Sequence, residues 1–146
     1  MAHTTLVRDN EFAQKKEISV FAARMVQSAD PGEGEVGVAT ANYKLANLPA
    51  NSIISNAYIL VNTASDAATS ATGTLGTAEA GTQILSAADL KTTGKQGTFT
   101  GEFDTGTGAS LFLRVATSGA ATAVANFTVV VEYLEYEKNT GEYTGF

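Results

Sequence analysis

The stretch Ser52–Asn62, SIISNAYILVN, decides the fold class. Ile, Val and Tyr dominate it, residue types that fit a pleated, half-buried surface. It is short, and the turn Leu48-Pro49-Ala50-Asn51 bounds it on the left, so it reads as a β-strand. The last apolar segment, Ala123 to Glu137, says the same more plainly. There Phe127, Val129, Val131 and Tyr133 alternate with Asn126, Thr128, Val130 and Glu132, the two-residue period of a strand with one covered face.

Outward from these two, strand patterns recur at short spacing. In Glu17–Gln27, Ile18, Val20, Ala22 and Val26 fall on one face, interrupted by Arg24, and Ser19, Phe21, Ala23 and Met25 on the other. Both faces are expected to be at least partly covered. The strand stops at Ser28-Ala29-Asp30-Pro31-Gly32, a turn where Pro31 fixes φ and Gly32 admits a left-handed conformation. Val36–Ala46 is a weaker strand and Thr69–Thr77 a surface strand. Ser86–Leu90 is expected to form one helical turn with Ser86 as its cap. Gly97–Phe103 is expected to set Phe99 and Phe103 on one face. Ala109–Thr117 points Leu111, Leu113 and Val115 inward. The expected core is Ile54, Tyr58, Leu60, Leu111, Leu113, Val115, Phe127, Val129 and Val131.

About eight strands separated by Gly, Thr, Ser and Asp turns define an all-β fold, an antiparallel sandwich or barrel. No helical pattern lies between strands, which excludes a parallel α/β sheet. The organisation expected is an extended N-terminal arm over 1–16, the sandwich over 17–138 and a tail over 139–146. The arm is polar, and its Leu6, Val7 and Phe12 show no sustained period.

Composition narrows the function. The chain has 146 residues, among them 24 Ala, 20 Thr, 14 Gly and 9 Ser, nearly half its length, and only 16 % charged residues. Cysteine is absent, which removes disulfide frameworks, thiolate–zinc sites, iron–sulfur clusters and thiol catalysis. The single histidine, His3, leaves little for a Ser-His-Asp triad. The net charge of −6 opposes nucleic-acid binding, which needs a basic face. No segment has the apolar core of a signal peptide, and no run approaches ~20 apolar residues, so no membrane span is expected.

The motifs that suggest chemistry lack its context. Gly32-Glu33-Gly34-Glu35-Val36-Gly37 fits G-x-G-x-x-G, yet no amphipathic helix comes after it, and Glu33 and Glu35 would repel phosphate. Asn126-Phe127-Thr128 fits the glycosylation pattern but lies inside a strand. The acidic pairs Glu33/Glu35 and Glu102/Asp104 and the set Glu132/Glu135/Glu137 come without the tryptophan that usually rims a sugar cleft. Asp66 and Asp104 stand outside any calcium-loop motif. No catalytic residue, cofactor or metal site is expected, and the chain is not expected to be an enzyme.

The aromatics point to contact surfaces instead. Tyr133, Tyr136, Tyr143 and Phe146 crowd the last fourteen residues, among Glu132, Glu135, Glu137 and Glu142. Tyr is enriched in subunit interfaces. The candidate interface is therefore Tyr133, Tyr136, Tyr143 and Phe146, together with Phe12 and the basic arm residues Arg8, Lys15 and Lys16.

The segment Leu45–Ala64, with its Leu48-Pro49-Ala50 turn and its apolar strand ending in Val61-Asn62-Thr63-Ala64, resembles one found in small tailed-bacteriophage virion proteins. The Thr/Gly-rich Thr69–Thr77, the Ala87-Ala88-Asp89 segment and the closing strand Val129–Leu134 come in the same order as there, so the resemblance spans roughly Ile18–Tyr136. It implies a single antiparallel β-sandwich, jelly-roll-like, and a virion structural protein of the capsid decoration (cement) type: a homotrimer assembled in the host cytoplasm and bound to the major capsid protein or another virion protein. A tail tube, adaptor or head-fibre component is the alternative placement. A carbohydrate-binding adhesive module is the rival from another class.

Overall fold

The computed structural model describes residues 18–120 and 124–136. Among these there is no helix, and eleven strands build two sheets. They are β1 (Ser19–Gln27), β2 (Glu35–Val36), β3 (Ala41–Leu48), β4 (Ser52–Thr63), β5 (Ser70–Gly76), β6 (Leu85–Asp89), β7 (Gly94–Gln96), β8 (Thr98–Phe99), β9 (Phe103–Asp104), β10 (Ala109–Ser118) and β11 (Asn126–Glu135). The first sheet runs β2-β1-β11-β4-β7, with β9 also on β4; the second runs β3-β10-β5-β6-β8. Only β1–β2 is parallel. With the two-residue strands β2, β8 and β9 set aside, two four-stranded sheets remain, β1-β11-β4-β7 and β3-β10-β5-β6. That is the strand order of a jelly roll, two Greek keys folded into a sandwich.

The alternating residues supply the layer between the sheets. Phe127, Val129 and Val131 from β11 and Leu111, Leu113 and Val115 from β10 are buried, as the two-residue period predicts. The strand β5 is more central than expected. It lies between β10 and β6, with Ala71, Gly73 and Leu75 inward. Gly73 lets the sheets approach: a Cβ there would come 2.6 Å from Ile59 Cδ1.

Several expectations give way to irregularities in the strands. Ile54 is buried as expected, but Tyr58 is only half-buried and Leu60 is exposed. The register explains this. Tyr133 pairs with Ile54 but Glu132 with Asn56, so β4 carries one extra residue, Ser55. Such a bulge flips every later side chain to the other face. Ala57, Ile59 and Val61 point inward in place of Tyr58 and Leu60.

Ser86–Leu90 is not a helical turn; most of it lies in β6, paired to β5. Ala87 has φ of 53° and stands as an extra residue, which keeps Leu85, Ala88 and Leu90 all buried. Phe99 and Phe103 do not share a strand face. The former lies in β8 beside β6 and the latter in β9 beside β4, in opposite sheets, with Gly101 at φ 118° between them. Val36–Ala46 is divided between β2 and β3. The left-handed glycine of the 28–37 turn is Gly34, with φ of 75°.

The strand β1 differs most from its expected state. Phe21, Ala23 and Met25 face the core, but the opposite face is bare: Ile18 is 60 % and Val20 58 % exposed, and Ala22 and Val26 are exposed with them.

Candidate interaction surface

Three features of the surface bear on contact with other molecules. The first is the end of the sandwich from which residues 1–17 and 137–146 leave. Ser19 opens β1 directly across from Tyr133 of β11, so the two segments depart from neighbouring strands. Tyr133 is half-buried against the core. Beyond it, Tyr136 is fastened: its N–H donates to Asn51 O at 2.8 Å and its Oη–H to Asp104 Oδ2 at 2.8 Å. That carboxylate acceptor raises the phenol pKa above its ordinary value. The same end is clamped from beneath. The Thr105 hydroxyl donates to Pro49 O at 2.8 Å and accepts from the Ser52 N–H at 3.1 Å. Asn51 takes φ of 54° there, and its N–H reaches Gly106 O at 2.8 Å. The remaining candidate interface residues Tyr143, Phe146, Arg8, Phe12, Lys15 and Lys16 lie outside the described residues.

The second feature is the outer face of the first sheet. The exposed stripe Ile18, Val20, Ala22 and Val26 runs along β1. In the next strand Val130 pairs with Ala22, and beyond it Tyr58 pairs with Val130. Lys95 of β7 holds its ammonium 4.6 Å from the Tyr58 ring centre, a cation–π contact that caps one margin of the apolar zone. On the β1 side Arg24 Nε donates to Asn126 Oδ1 at 3.2 Å. The sequence held a signal for this face, since β1 is apolar on both parities and a two-layer sandwich has core for only one.

The third feature is a groove of about 550 Å³ between the edge strands of the two sheets. Ala23 and Met25 of β1 and Tyr43 and Leu45 of β3 form its floor, and Arg24, Lys44, Glu33 and Glu35 its rim. Ala23, Tyr43 and Leu45 are core-facing residues left partly uncovered. The upper part of this side is plugged by the 28–37 segment: Val36 is fully buried, and the Gly37 N–H donates to the Tyr43 hydroxyl at 2.7 Å.

Both walls of the groove are open β-edges. The Gln27 N–H donates to Ala125 O at 2.8 Å, toward the β11 side. Successive residues of an antiparallel ladder alternate sides, so the N–H and C=O of Val20, Ala22 and Arg24 aim away from β11. On that flank β2 meets only Val26 and Gln27. Among the described residues no strand pairs with β1 below Val26 on that side, and none with the outer edge of β3.

Together these features define a jelly-roll sandwich with an apolar flank where, among the described residues, most of the edge of β1 and the outer edge of β3 have no strand partner. A solved structure supports the fold. No protein-family model and no curated protein matches the chain. A chain of the solved structure "Cyanophage Pam1 capsid asymmetric unit" has a similar fold, with a TM-score of 0.57 at 19 % identity, over 82 % of this chain and 85 % of that one.

Proposed function

We propose that this protein is a structural component of a phage virion, a decoration (cement) protein that stabilises the head through protein–protein contacts and acts as a homotrimer. The observation that carries this is the jelly-roll topology shared, over most of both chains, with a chain of a cyanophage capsid asymmetric unit. The surface supports it. The exposed stripe of β1 and the groove beside it are features a lone soluble domain has no use for, since contiguous apolar surface usually marks an interaction site. Cement function needs area and symmetry rather than a pocket. Three linked copies raise one another's effective concentration, so each contact can be weak.

The test has two parts. Light scattering should give a solution mass three times that of the chain. The purified protein should co-sediment with phage heads stripped of it and raise the temperature at which they release DNA. Binding to isolated tails but not to heads favours the tube or adaptor placement and overturns the cement reading. Binding to glycans with no binding to particles overturns the virion reading itself.

A further inference from the structure

We propose that residues 1–17 of one copy of this chain add as an extra β-strand to the open edge of β1 in a second copy, seating Leu6 and Phe12 in the groove between β1 and β3. The recipient geometry is in place. Val20, Ala22 and Arg24 present backbone donors and acceptors outward, and a strand laid along them would be the next member of the first sheet. Its inward side chains would fall over Ala23, Tyr43 and Leu45, core residues the chain leaves partly uncovered. The arm has the apolar residues to cover them: Leu6 and Phe12 share a strand parity, six residues apart.

The donor must be another copy for reasons of chain geometry. The arm enters β1 at its start, so to lie along its own β1 edge it would have to reverse direction between Phe12 and Ser19. A tight reversal needs Gly, Asn, Asp or Pro, and that stretch reads Ala13-Gln14-Lys15-Lys16-Glu17-Ile18. Continuing outward, seventeen extended residues reach about 55 Å, against a domain roughly 35 Å across. Charge also favours an arm over a body as the partner. Residues 1–17 carry Arg8, Lys15 and Lys16 against Asp9, Glu11 and Glu17, so the chain's net charge of −6 resides entirely in residues 18–146. Two bodies repel; a neutral arm on a body does not. The groove rim is mixed in the same way, with Arg24 and Lys44 facing Glu33 and Glu35. The contact is head-to-tail, and it closes into a ring when the rotation between copies divides a full turn. It holds equally for a head or a tail location and does not depend on the cement reading.

The experiment is residue-resolved amide hydrogen exchange on the full chain across a range of protein concentrations. The Val20, Ala22 and Arg24 amides should gain at least about tenfold protection from the lowest to the highest concentration, while the Gln27 amide, bonded within the chain, should not change. The double variant Leu6→Ser/Phe12→Ser should remove that protection and lower the solution mass, with the Val129 amide still protected as proof of folding. Three results would each overturn the proposal: edge amides that exchange freely at every concentration, protection independent of concentration (an arm folded onto its own edge), or protection that survives the double variant. The first of these would point instead to a different protein as the occupant.

Discussion

The two long sides of this sandwich are finished differently. On one side the chain between Gly94 and Asp104 crosses back and forth between the sheets, pairing β7 with β4, β8 with β6 and β9 with β4 again. Phe99 and Phe103 are tucked in as it passes. Gly97 makes the crossing possible: its φ is 101°, and a Cβ would come 2.9 Å from the Leu85 side chain. On the other side, among the described residues, β1 below Val26 and the outer edge of β3 have no strand partner, and partly bare core residues lie between them. Sheet edges invite pairing, and proteins normally blunt them with charge, proline or a covering segment. Among the described residues, the closed side is covered in that sense and most of the open side is not. On the reading proposed above, the open side is where the partner docks.

Substitutions should separate the two sides by what they change. Leu85 is fully buried at the closed side, so Leu85→Ala should cost about 2–5 kcal/mol, read as a lower denaturant midpoint with an unchanged slope. Gly97→Ala should cost about 1–3 kcal/mol from its left-handed backbone, with a further loss if Leu85 cannot move. At the clamp below, Thr105→Val leaves the Ser52 N–H without its acceptor and should cost about 1–3 kcal/mol. On the open side, Val20→Ser should move stability by no more than about 0.5 kcal/mol yet lower the mass of the assembly. A cost above about 2 kcal/mol for Val20→Ser would mean that its face is packed within the monomer.

Much of the architecture was legible in the chain, because β10 and β11 keep a strict two-residue period through Leu111–Val115 and Phe127–Val131. The hidden parts are local and have a common cause. Ser55 in β4 and Ala87 in β6 are single extra residues, and neither is a glycine or proline that would announce a bulge. Each reverses or preserves a face through tertiary pairing rather than local preference. The crossing at Gly101 was hidden for the same reason, since nothing in Thr98–Phe103 says that its two aromatics belong to different sheets. For the candidate interface, the sequence marked a place rather than a contact. The clustering of Tyr133 and Tyr136 marked the end of the molecule where the two terminal segments leave, but Tyr136 is engaged with Asp104 and Asn51 within the chain. The exposed face of β1 was visible only as an excess of apolar residues on both parities.

The smallest expected effect concerns that tyrosine. Accepting a hydrogen bond from the phenol, Asp104 holds its pKa above the ordinary value, so the folded state favours the protonated form. The contact is therefore intact below the unfolded-state value of about 10 and is lost as pH rises through the higher folded value. Asp104→Asn should bring the phenolate absorbance transition of Tyr136 to lower pH. No movement would show that the Tyr136–Asp104 contact is absent in solution.

The asymmetry of the two sides is tested most directly by electron cryomicroscopy of intact particles with this chain traced in the density. The expected result places it on the head surface in three-fold clusters, with the β1 stripe and the β1–β3 groove in contact and the Gly94–Asp104 side facing solvent. Density that buries the closed side and leaves β1 bare, or that places the chain away from the head, would contradict the account.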